Sequence, residues 1–101
     1  MANGQNGSAK KDEKVKLPPN EIVSSAYKYL QTSLLPTQRV ADPRIEALEP
    51  VEQDKFWRVV ISYDVIGELP FDKKREYKEF KVNAYVPGEV IWMKIYDRAK
   101  V

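Results

Sequence analysis

The side chains of this 101-residue chain that could do chemistry are carboxylates, lysines, arginines and tyrosines, because it contains no histidine and no cysteine. Disulfides, thiolate nucleophiles, imidazole acid–base catalysis and the zinc sites those residues build are therefore excluded. Among the carboxylates, Asp64 and Glu68 are spaced closely enough to share general acid–base work. Nothing in the surrounding sequence places them in a pocket, so they read as solvated charges on a strand and its following loop. Gly67 and Gly88 belong to no phosphate-cradling pattern, and no carboxylate spacing forms a calcium loop. The expectation is a non-enzyme with no cofactor and no metal.

Two other constellations could bind. Lys73, Lys74 and Arg75, with Lys78 and Lys81 nearby, could hold phosphates while neighbouring rings stack on bases. The interspersed Asp72, Glu76 and Glu79 argue against nucleic acid, as does a net charge of only +2. The second constellation is aromatic. Tyr85, Trp92 and Tyr96 fall out of phase with the apolar positions of their segments, so they are expected on the uncovered face of a sheet. Cross-strand β stability alone would account for some of them, while a contact with a protein partner or a second copy would account for all three.

The elements that position these residues are legible from periodicity. Phe56 to Ile66 reads FWRVVISYDVI, with Trp57, Val59, Ile61, Tyr63 and Val65 on one side of a period-two ribbon and Arg58, Ser62 and Asp64 on the other. Val60 is the exception. The pattern predicts a central strand, with Trp57 as a core anchor. Upstream, Ile22, Val23, Ala26, Tyr27, Leu30 and Leu34 recur at helical spacing, and a helix over about 20–35 is expected, capped by Asn20 and ended by Pro36.

Residues 36–43 read as a connection and Arg44 to Val51 as a short edge strand carrying Pro50. Glu52 to Lys55 makes a polar turn, and 67–76 a longer loop holding the basic cluster, with Phe71 tucked back against the body. A third strand, Tyr77 to Val86, would place Phe80, Val82, Ala84 and Val86 in the core. Pro87-Gly88 is a turn signal, and the last strand, Val90 to Asp97, would place Ile91, Met93 and Ile95 in the core and Val90, Trp92, Lys94 and Tyr96 on the reverse face.

With one helical segment and four strands, the fold class is α+β: one N-terminal helix packed on a four-stranded antiparallel meander. Residues 1–17 carry two Asn-Gly pairs and a Lys/Asp/Glu run with too little apolar surface to offset ordering entropy, so a disordered polar tail is expected before a single domain at 18–101. The tail lacks the apolar centre of a signal peptide, and no stretch approaches the roughly 20 apolar residues of a membrane helix. A cytoplasmic location is expected if the chain is complete, and an extracytoplasmic one if it was cut from a longer protein.

A helix followed by an antiparallel meander resembles the half-cystatin arrangement. The segments Trp57-Arg58-Val59, Phe80-Lys81-Val82-Asn83-Ala84 and Pro87-Gly88-Glu89-Val90 look like PepSY-type domains, small bacterial modules with a W-x-V strand and a strand ending in a glycine turn. A second resemblance, to the gas-vesicle accessory family, rests on Trp57, Pro70, Phe80-Lys81-Val82, Gly88-Glu89 and Tyr96-Asp97-Arg98. Both resemblances imply a non-catalytic accessory or regulatory module. The alternative is a small-molecule or nucleic-acid binder using the space between helix and sheet or the basic 73–75 segment.

Overall fold

The computed structural model describes residues 15–34, 38–69 and 71–96. Helix α1 (Pro19–Leu34) is followed by strands β1 (Arg39–Val51), β2 (Phe56–Ile66), β3 (Lys73–Asn83) and β4 (Val90–Ile95). The strands form one antiparallel sheet in the order β1-β2-β3-β4. This is the helix-on-meander α+β architecture that the periodicities require.

Proline opens α1 rather than the expected asparagine. Pro19 occupies the first helical position, where a missing N–H costs nothing, and the Pro18 carbonyl accepts from the N–H groups of Glu21 and Ile22 at 3.0 and 3.2 Å. Asn20 thus lies inside the first turn, not at the cap. Ile22, Ala26 and Leu30, one turn apart, are fully buried and meet Val59, Ile61 and Tyr63 of β2 and Phe80 and Val82 of β3. Trp57 and Val65 pack at the margins of this core, so the whole odd-numbered set of β2 faces the helix. The expected stop at Pro36 lies outside the described residues. At its observed end, the Leu34 carbonyl accepts from the Gln38 N–H at 3.0 Å. No described helix is long and apolar enough to cross a membrane.

Strand boundaries differ from expectation at the start of β1, at both ends of β3 and at the end of β4, which stops at Ile95. β1 begins at Arg39, five residues early, because register shifts at Ala41/Arg44 and Ile45/Ala47 let the ladder run through Asp42-Pro43, which reads in sequence as a break. Asp42 takes a positive φ of 53° at the first of these irregularities. β3 begins at Lys73, inside what reads as a loop, pairing from Ile66↔Lys73 onward. It also ends at Asn83.

Beyond Asn83 the chain turns away from the sheet. Leu17 N–H donates to the Ala84 carbonyl and Val86 N–H to that of Val15, both at 2.9 Å, with Lys16 bridging Tyr85. Residues 15–17, expected to belong to a disordered tail, are therefore paired, and Leu17 packs on the core; residues 1–14 lie outside those described. Ala84 is buried as expected, but Val86, expected in the core, is 57 % exposed. Phe71 does not tuck back and stands 80 % exposed.

The last strand corrects a face assignment. Phe80 pairs with Met93 and Lys81 with Trp92, but Val82 pairs with Val90, so one extra residue is absorbed at Ile91. The slip puts Val90 beside Val82 on the helix side instead of the reverse face, and it leaves Ile91 exposed. Met93 does pack on the core. Ile95 shares that side but stands 75 % exposed, outside the cluster that Val90 and Met93 join.

Candidate functional site on the open face of the sheet

Two faces follow from the register. The face away from α1 carries Arg58, Val60, Ser62 and Asp64 of β2, Lys73, Arg75, Tyr77, Glu79 and Lys81 of β3, and Trp92 and Lys94 of β4. An antiparallel sheet with one helix leaves this side uncovered. Even so, Val60 and Ser62 are 1 % and 0 % exposed, because long charged side chains close over them.

Those side chains form two linked groups. In the first, Arg58 Nε donates to Glu79 Oε2 at 2.6 Å and Arg58 reaches Glu49 at 3.2 Å, while Lys94 approaches Glu79 at 3.8 Å. The hydrogen bond to Glu79 is the main reason that the Arg58 guanidinium is held above its ordinary range. In the second, Arg75 donates to Asp64 Oδ1 at 3.1 Å, to Asp42 at 3.3 Å and to Ser62 Oγ at 2.9 Å; Ser62 Oγ donates in turn to Glu46 Oε2 at 2.5 Å. The hydroxyl of the buried serine is thereby satisfied as both donor and acceptor. The partners are 9 to 33 residues apart in sequence, so the only sign of this network in the sequence is that charged residues alternate with the apolar set.

The acid–base candidate dissolves into this network. Asp64 is held by Arg75 and Lys73, the latter at 3.8 Å, while Glu68 is exposed in the following turn. The three basic residues at 73–75 do not share a surface either. Lys73 and Arg75 lie on the open face against Asp64, and Lys74 lies on the helix side, paired with Val65.

The three aromatic residues are separated in a different way. Trp92 and Tyr96 share the open face at the outer margin, with Lys94 between them; the Lys94 ammonium lies 4.6 Å from the Trp92 ring centre and the Arg58 guanidinium 5.5 Å from that of Tyr96. Tyr96 N–H donates to the Tyr77 carbonyl at 3.1 Å, continuing the β3–β4 ladder. Tyr85 lies past the end of β3 rather than within the sheet, its N–H donating to Asn83 Oδ1 at 2.9 Å and its strand partner being Lys16. The parity argument for it required β3 to run straight to Val86. Ile91 and Ile95 were not foreseen as exposed; each adds apolar surface to the same strand, at 44 % and 75 % exposure.

On the helix side, an open groove of about 310 Å³ lies between α1 and the bulged β1, lined by Val23 and Tyr27 on one wall and Pro43 and Ile45 on the other, with Ile61 as its floor. In comparisons with known proteins, no family model, no curated protein and no solved structure matches this chain.

Proposed function

We propose that the chain is a non-catalytic interaction module that engages a protein partner through the β4 margin of its sheet, with Trp92 and Tyr96 as the central contacts. One observation carries this reading: β4 and Tyr96 just beyond it gather two half-buried aromatics and two exposed isoleucines at one margin, while the rest of the open face is closed by ion pairs. Trp, Tyr and Arg are the residue types enriched at binding hot spots, and Arg58 stacks on Tyr96 here. Tyr85, bridged to Lys16 beyond the end of β3, is not needed for this contact. The resemblance to PepSY-type and gas-vesicle accessory modules points to the same class.

Trp92→Ala tests it. The variant is expected to melt within a few degrees of the parent and to weaken self-association or partner capture by about 2 kcal/mol or more. A large loss of stability with unchanged association would place Trp92 in the fold rather than in a contact. The groove between α1 and β1 favours a second reading, binding of a small apolar ligand; solvatochromic dye binding abolished by Ile45→Glu but not by Trp92→Ala would support it.

A further inference from the structure

The partner at this margin has a definable shape, because the two edges of the sheet are finished differently. β1 is a poor template for another strand: it carries Pro43 and Pro50, two register irregularities and exposed Arg44, Glu46 and Glu49. β4 contains no proline and no acidic residue, and no described strand pairs with its outer side.

Its outward-facing hydrogen-bonding groups can be named. In an antiparallel ladder, alternate residues turn both N–H and C=O toward the same neighbour. Tyr96 N–H points at β3, so Lys94 and Trp92 do as well, whereas Met93 and Ile95 direct their backbone groups outward. We propose that this edge is filled by β4 of a second copy, antiparallel, with the two-fold axis at Met93, making one continuous eight-stranded sheet; the inference rests on the reading of β4 as the contact.

The sequence of β4 suits a second copy as occupant and narrows the register. Only pairings that set an outward-facing residue opposite another can form the ladder, so the axis must pass through one residue. An axis at Lys94 would oppose two ammonium groups. An axis at Met93 sets Ile91 opposite Ile95 of the copy and Trp92 opposite its Lys94, in a non-hydrogen-bonded pair where side chains approach most closely. The two exposed isoleucines then cover each other, and the lysine–tryptophan contact already present within one chain at 4.6 Å is repeated across the seam. A seam of five residues spans only about 17 Å and falls at the small end of specific interfaces, so a weak, concentration-dependent dimer is expected.

Amide hydrogen exchange of the full chain, followed residue by residue at low and at roughly fiftyfold higher concentration, reads the seam directly by mass action. Protection of Met93 and Ile95 should rise with concentration, while Lys94 and Tyr96 are protected at both. Ile95→Pro removes an outward N–H without touching the β3 ladder, and should weaken the dimer at least tenfold in sedimentation. If that variant does not fold, Ile95→Lys at the same exposed site should give the same loss. A chain that stays monomeric throughout, or that dimerises with Met93 and Ile95 exchanging freely, overturns the seam. Partner capture that still depends on Trp92 in that case would leave the interaction reading standing, whereas its independence of Trp92 would remove both.

Discussion

Arg58 and Glu79 meet diagonally across β2 and β3 at 2.6 Å, two residues out of direct register and on the side of the sheet that no described helix covers. Their side chains retain 26 % and 14 % exposure, so the pair is neither a freely solvated bridge nor a buried one. Glu79 also receives Lys94, which links the charged centre of the face to the β4 margin. A double-mutant cycle with Arg58→Met and Glu79→Gln should give a coupling of about 1 kcal/mol, at the upper end for exposed pairs. A coupling indistinguishable from zero would mean that the network does not hold this face closed.

Tyr63 should control the alkaline limit of stability. It is fully buried against the helix, with its hydroxyl donating to Glu76 Oε1 at 3.2 Å. Burial first, and the neighbouring Glu76 charge second, push its pKa well above the ordinary tyrosine value. A proton is therefore bound more tightly in the folded state. The stability it contributes is fully present below the unfolded value of about 10 and is lost as pH rises from there toward the folded value. Urea unfolding between about pH 8 and pH 11 should show a falling midpoint in the parent and a flatter one in Tyr63→Phe. Equal slopes would count against Tyr63 as the responsible group.

Left-handed backbone should give substitutions of opposite sign at two turns. Glu52, Gln53 and Asp54 hold successive φ values of 52°, 60° and 67°, a conformation that costs a side chain about 1 to 2 kcal/mol per residue. Gln53→Gly should therefore be neutral or stabilise by up to about 1 kcal/mol. Gly88, at φ 77°, already has the residue its backbone needs, and a Cβ there would lie 2.6 Å from Leu17 Cδ1 and 2.9 Å from Ser25 Oγ. Gly88→Ala should cost about 1 to 3 kcal/mol. Thermal melts of the two variants moving in the same direction would show that φ is not what governs these turns.

The α+β class, the stripe of Ile22, Ala26 and Leu30 and the helix-facing set of β2 were determined by the sequence alone. They depend on periods of 3.6 and 2.0 that a single segment expresses by itself. The turn at Pro87-Gly88 was equally local. Strand ends and faces were not, wherever pairing overrode pattern. The polar run at Lys73 to Glu76 joins the sheet only because Tyr63 to Ile66 lies opposite it, and the extra residue at Ile91 inverts the face of Val90 through a register that no window of β4 contains. Tyr85 lies beyond β3 for the same reason, bridged to Lys16 from the far end of the chain. Charges whose spacing carries no signal became the network over Val60 and Ser62 once four strands set them side by side, because a hydrogen bond is decided by distance in space and not along the chain.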